Sequence, residues 1–184
     1  VVFVIPIFYS VFNSFKSQKE ILSTTMTFFP NSPSLENYLY VFQHGSQYLG
    51  YYVNSLKITF IGVILTVILS AMSGYAFARL PFKGSGAVMA FILFVITFPL
   101  AALLIPIYIM EYNVGLLNTT MGLVLPNVMN VLPFSIFIMR GIFLGLPIEL
   151  EEAARMDGCS VFRTWKDVMA PLAKNGMIIV LVFS

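Results

Sequence analysis

Three long stretches without a charged side chain constrain this sequence more than any other feature. They are residues 58–78 between Lys57 and Arg79, residues 84–110 between Lys83 and Glu111, and residues 112–139 up to Arg140. A helix needs roughly 20 apolar residues to cross the hydrocarbon core of a bilayer, and it can do so because its backbone groups bond one another. Two shorter apolar runs, residues 1–15 and 175–184, read as further spans. Composition agrees: 59% of the 184 residues are hydrophobic and 10% charged, where a soluble domain carries about 25% charged residues. A β-barrel would alternate strictly between apolar and polar positions in ten-residue segments, and these runs do not. The expected fold is all-α, a polytopic transmembrane helical bundle with five segments, the first and last truncated, forming one transmembrane domain over residues 1–184. The chain opens inside VVFVIPIFYSVF and closes inside GMIIVLVFS, with no charged leader and no small-residue cleavage site. It therefore reads as a fragment cut within membrane segments at both ends, not as a chain with a signal peptide.

Several function classes fall away on chemistry. A net charge of +2 without a Lys/Arg run offers no surface for nucleic acid. The single cysteine, Cys159, excludes a disulfide framework and a cysteine metal cluster. His44 has neither a second histidine nor a carboxylate nearby in sequence, so no metal site or catalytic base is expected there. There is no GxxxxGK[ST] phosphate loop, and GSGAV at residues 84–88 reads as a linker; the chain is not expected to hydrolyse ATP by itself. No Ser/His/Asp set or HExxH is present, so no catalytic residue and no cofactor are expected. A secondary transporter would need ionisable groups at mid-membrane, and an intramembrane enzyme paired acids; the spans contain neither.

Basic residues orient the bundle. Residues 79–86 hold Arg79 and Lys83, and residues 140–174 hold Arg140, Arg155, Arg163, Lys166 and Lys174; opposite them stand only Lys16, Lys19 and Lys57. The first two loops are expected in the cytoplasm, the loop 16–57 outside, and Glu111 at the start of a second external loop. Pro99 and Pro106 lie seven residues apart, as do Pro126 and Pro133, so each pair falls close to one helix face. Asn127 and Asn130 are three apart inside a span and share a face; they either line a translocation path or hydrogen-bond to a neighbouring helix.

The polar loop of residues 143–174 carries the most information. Pro147 suits the first turn of a helix, and Glu149, Glu151 and Glu152 follow where carboxylates meet the positive end of the macrodipole. Glu151 and Arg155 form an i,i+4 pair. Gly158 is placed to end that helix with a left-handed residue, Ser160 to cap a second, and Pro171 to break it. Ala153 and Ala154 leave a flat surface that another protein can approach. An interfacial helix would carry many basic residues on its polar face, and this one is acidic. The expectation is a helix–corner–helix projection built for protein docking.

Residues 152–158, EAARMDG, resemble the EAA motif of the permease subunits of ABC importers. RGIFLGLPIELEEAARMDG, LLNTTMGLVLP, YAFARLPFKG and SLENY are similar to the carbohydrate branch of that family, so the resemblance covers nearly the whole sequence. It departs after the corner, where Val168, Met169, Ala170 and Pro171 replace a more usual Leu-Pro pattern and Asn175 stands near an expected second proline. The resemblance implies a plasma or inner membrane subunit of an ATP-driven, binding-protein-dependent sugar importer, with about six helices in full and half of a translocation path. It implies cytoplasmic ATPase subunits that use the ATP, a second permease subunit, an extracytoplasmic solute-binding protein and a sugar or oligosaccharide substrate. An importer of another solute is the alternative, and a secondary transporter a more distant one. Carried onto this sequence, the coupling residues are Glu152, Ala153, Ala154, Asp157 and Gly158. Glu152 would contact the ATPase, Gly158 make the corner, and Asp157 stabilise it through local backbone bonds.

Overall fold

A computed structural model describes residues 2–25, 27–80 and 82–184, and every regular element among them is helical. Residue 1 of the expected first span lies outside that set. After a 3-10 turn at Val2–Val4 come α1 (Ile5–Ser14), α2 (Gln18–Ile21), α3 (Glu36–Gln43), α4 (Gly45–Arg79), α5 (Ser85–Val95), α6 (Leu100–Asn113) and α7 (Thr120–Leu144). The chain continues through α8 (Glu149–Met156), α9 (Val161–Thr164), a π-helical turn (Trp165–Met169), α10 (Ala170–Leu172) and α11 (Lys174–Phe183). By length and composition, α4 and α7 are the two described helices able to cross a membrane.

Helix α4 has 35 residues, about 50 Å of helix, well beyond the ~30 Å hydrocarbon core. It starts at Gly45 and absorbs Lys57, so the loop expected over residues 16–57 is in fact α2, α3 and the opening turns of α4. The uncharged stretch 84–110 departs further from expectation, because it divides into α5 and α6. The break falls at Pro99, which is extended (φ −67°, ψ 129°) and caps α6; a proline also drives the residue before it out of the helical region. Pro99 and Pro106 therefore do not share one helix face. Helix α7, by contrast, runs unbroken through both Pro126 and Pro133, leaving two carbonyls of its ladder without their usual donors.

The residues group into two compact units, Val1–Ser55 and Leu56–Ser184. In the first, Asn37 Nδ2 donates to the carbonyls of Ser14 (3.0 Å) and Lys16 (2.8 Å), tying α3 to the end of α1. Lys16 is buried, donates to the Thr27 carbonyl and lies 5.3 Å from the centre of the Tyr9 ring. His44 ends α3, with Nδ1 3.0 Å from the Tyr40 carbonyl and its ring stacked on Tyr40. No cluster of His, Cys, Asp or Glu fit for a metal exists among the described residues.

The second unit is organised where the ends of α4 and α7 meet the π turn and α11. Ala71, Tyr75, Met139, Phe143, Met169, Ala173 and Val180 form its buried core, with Tyr75 edge-on to Phe143 at 5.5 Å between ring centres. Apolar burial drives little association between helices in lipid, so close backbone approach over small residues matters more. Gly74 provides it: a Cβ there would stand 2.6 Å from the Met139 Cβ and 2.9 Å from the Arg140 backbone nitrogen. Gly176 does the same for α11 against Ile142 of α7. The buried hydroxyls of Thr66 and Ser135 are satisfied inside their own helices, Thr66 by the Gly62 carbonyl (2.9 Å) and Ser135 by Val131 (3.0 Å), as suits a helix without nearby water.

Candidate functional site

The polar segment after α7 builds the projection expected from its residues, with two differences in how the chain enters and leaves it. Ile148, not Pro147, is the cap residue of α8, so Pro147 stands just outside the helix. Glu149, Glu151 and Glu152 fill the first turn and Arg155 the last, an arrangement that opposes the helix macrodipole at both ends. The far end is a Schellman closure: Cys159 N–H donates to the Ala154 carbonyl and Gly158 N–H to Arg155, each at 3.0 Å. Gly158 sits at φ +78°, the left-handed conformation this motif reserves for glycine. Asp157 is the C-cap residue and lies exposed.

Ser160 caps α9, its Oγ accepting from Arg163 N–H at 3.3 Å. Ser160→Ala is expected to lower local helix stability by about 1 kcal/mol, measurable as faster hydrogen exchange over residues 161–164. The expected break at Pro171 does not occur. The π turn at Trp165–Met169 precedes α10, which takes Pro171 in its first turn, where no donor is needed. The helical path ends instead at Ala173, immediately before α11.

Helix α8 has two unlike faces. Glu151 (3% exposed) and Ala154 (6%) face the body of the second unit. Glu152, Ala153, Met156 and Asp157 face away, with Met156 87% exposed. The flat surface expected at Ala153 and Ala154 is thus corrected: Ala153 presents itself outward, and Ala154 is used up in packing α8 onto its own chain. Val161 and Phe162 extend the outward face beyond the corner as exposed apolar groups. Trp165 packs partly against the core cluster.

The inward face carries a polar network of which the sequence disclosed only the Glu151–Arg155 pair. Glu151 Oε1 accepts from Tyr75 Oη (3.0 Å) and Arg155 Nη2 (2.5 Å). Its Oε2 faces Arg79 Nε at 3.8 Å. Arg79 Nη2 also donates to the carbonyls of Phe143 (2.8 Å), in the last turn of α7, and Leu146, two residues past its end. One carboxylate and one guanidinium therefore join α8 to the ends of α4 and α7.

Asn127 and Asn130 border two neighbouring clefts. Asn130 lines a cleft of about 280 Å³ with Val95, Leu103, Glu111 and Pro133. Asn127 lines a second, of about 510 Å³, with Tyr108, Glu111 and Gly122, and its Nδ2 is already bonded to the Leu123 carbonyl at 2.7 Å. Glu111, expected as a solvated loop residue, is half-buried in the last turn of α6 and borders both clefts. Its place follows from α6 continuing to Asn113, three residues past the end of the uncharged stretch.

Residues 62–184 match the family model described as binding-protein-dependent transport system inner membrane component. The chain is 35% identical over its full length to a diacetylchitobiose uptake system permease protein of Streptomyces coelicolor, covering 60% of that protein. It is 32% identical over 97% of its length to an arabinooligosaccharides transport system permease protein of Bacillus subtilis, covering 64% of that one. The chain thus spans about three-fifths of these curated relatives. A chain in the crystal structure of a bacterial ABC transporter involved in the import of the acidic polysaccharide alginate is similar over 99% of this chain and 63% of that one. The TM-score is 0.79 and the identity 26%.

Proposed function

The chain belongs to the family of binding-protein-dependent transport system inner membrane components, and from that premise we propose that it is the membrane-spanning subunit of an ATP-driven sugar importer. Five of about six membrane segments are then in view, α5 and α6 together making the third across the Pro99 break. The relatives named for diacetylchitobiose and arabinooligosaccharides and the alginate importer support a sugar or oligosaccharide as cargo. A solute-binding protein outside, a second permease subunit beside it and cytoplasmic ATPase subunits complete the machine.

One observation carries this reading: a short rigid helix, closed by a Schellman corner, presents Glu152, Ala153, Met156 and Asp157 outward beside the ends of the two spanning helices. Such a helix is small enough to enter a groove on a cytoplasmic ATPase subunit. ATP binding draws two ATPase subunits together, and the docked helices move with them. The permease pair then rocks between inward-open and outward-open states, because nucleotide binds the two arrangements with different affinity. The excess of basic residues in 79–86 and 140–174 supports a cytoplasmic position for this end. The clefts bordered by Glu111, Asn127 and Asn130 lie on the part of the chain that would line the path.

The test uses the full-length protein co-expressed with its ATPase and second permease, purified in detergent and reconstituted with the binding protein and a panel of sugars. Stoichiometric ATPase, with hydrolysis stimulated by one sugar, is the expected result. Glu152→Ala should weaken ATPase retention about tenfold, the effect of losing one well-placed polar contact. A folded, monodisperse preparation that retains no ATPase would overturn the docking role.

A further inference from the structure

We propose that Glu151, Arg79 and Tyr75 form a latch that makes the coupling helix α8 move as one body with the membrane helices α4 and α7, so that Glu151 positions the helix while Glu152 faces the partner. The inference deepens the proposed function and rests on its coupling role for α8.

The two neighbouring carboxylates live in opposite environments. Glu152 is exposed and has no bonded partner among the described residues, whereas Glu151 is 3% exposed and engages three side chains. A buried carboxylate needs its charge compensated: Oε1 accepts two hydrogen bonds, while Oε2 has the ion pair with Arg79 Nε at 3.8 Å and no hydrogen bond among the described residues. Two of the three partners come from outside its own helix: Tyr75 and Arg79 belong to α4, more than seventy residues earlier in the chain. Arg155 of α8 bonds Oε1, the same oxygen that Tyr75 reaches. Arg79 adds the third element, because it donates to the Phe143 carbonyl of α7 and to the Leu146 carbonyl in the turn that follows, while its Nε faces Glu151. A load applied to the outward face of α8 is thereby carried to α4 and α7 by two charged groups with side-chain exposures of 8% and 4%. The covalent route from α7 to α8 is only the turn at residues 145–148, which carries Gly145 and could flex under the same load. Ala154 lies one turn on, on the same inward face, and brings the backbone of α8 close enough for the short Glu151 side chain to reach.

The experiment compares wild type, Glu151→Gln and Tyr75→Phe in the full-length complex. Both substitutions keep side-chain size, and Tyr75→Phe keeps the ring packed on Phe143. Retained ATPase, basal hydrolysis and sugar taken up per ATP hydrolysed are measured on the folded fraction. Glu151→Gln should keep the ATPase and its basal hydrolysis, while sugar per ATP falls roughly 5- to 150-fold, the range of a lost coupling free energy. Tyr75→Phe should fall in the same direction by less. A defect of stability alone would reduce the amount of complex but leave sugar per ATP unchanged, and that outcome overturns the latch.

A second readout does not depend on ATPase docking. Nitroxide labels at Met156 and Lys83, both exposed, with Cys159 replaced by serine, report the distance between α8 and the chain just past α4 by pulsed electron resonance. Wild type should give one narrow distribution and Glu151→Gln a broad one. Equal widths would overturn the latch even if the ATPase fails to bind. Loss of the ATPase from wild type itself would count against the proposed function and not against the latch.

Discussion

Gly74→Ala should prevent the second unit from closing normally, although it adds a single methyl group. The new Cβ would stand 2.6 Å from Met139 Cβ and 2.9 Å from the backbone of Met139 and Arg140. No rotamer change relieves contact with a neighbouring backbone, so α4 and α7 must move apart at the level of Ala71, Tyr75 and Phe143. Overpacking costs about 1–3 kcal/mol when side chains can yield and more when they cannot. A loss of about 3 kcal/mol or more is expected here. Gly62→Ala is the matched control on the same helix. Its Cβ would meet Val128 at an ordinary 3.9 Å, and alanine favours a helix interior by up to ~1 kcal/mol over glycine. In detergent, Gly74→Ala should elute as a heterogeneous, low-melting species while Gly62→Ala matches wild type. Equal melting of the two would show that the close approach at Gly74 does not hold these helices together.

Gly158→Val should act at the corner and not in the core. Nothing lies within 4 Å of the position where its Cβ would be, so the penalty is conformational. At φ +78° an L-residue costs roughly 1–2 kcal/mol, and a β-branched one is worse placed still. The chain is expected to escape by giving up the two closing hydrogen bonds from Gly158 and Cys159, which unwinds the last turn of α8 and swings Asp157 away. Membrane insertion and expression should stay near wild type, while retention of the ATPase falls more than tenfold. Gly158→Asn separates the explanations, because asparagine tolerates the left-handed region and should retain most of the association. Loss of the ATPase with asparagine as well would mean that bulk, not backbone conformation, decides the contact.

The parts of this protein legible in its residues are those governed by near neighbours. Spans follow from uninterrupted apolar runs, and the places of α4 and α7 agree with them. The corner follows from Gly158 and Ser160, whose effects extend over four or five residues. Proline proved less predictable, since the same residue separates two helices at one place and is carried inside a helix at another. Pro99 separates α5 from α6, Pro126 and Pro133 sit inside α7, and Pro171 is accommodated behind a π turn. The two cleft asparagines were legible as polar residues in a span, but their separate clefts depend on how α6 packs beside α7.

By itself, then, the sequence determined that this is a helical membrane chain with an acidic, glycine-cornered projection, because charge, periodicity and left-handed backbone preference are local properties. Only the tertiary structure decided which carboxylate turns inward. Glu151 and Glu152 are adjacent, equally acidic and equally suited to the first turn of α8. The choice between them is a rotation about the helix axis, set by Tyr75 and Arg79 arriving from α4 and by the room Ala154 leaves beneath the helix.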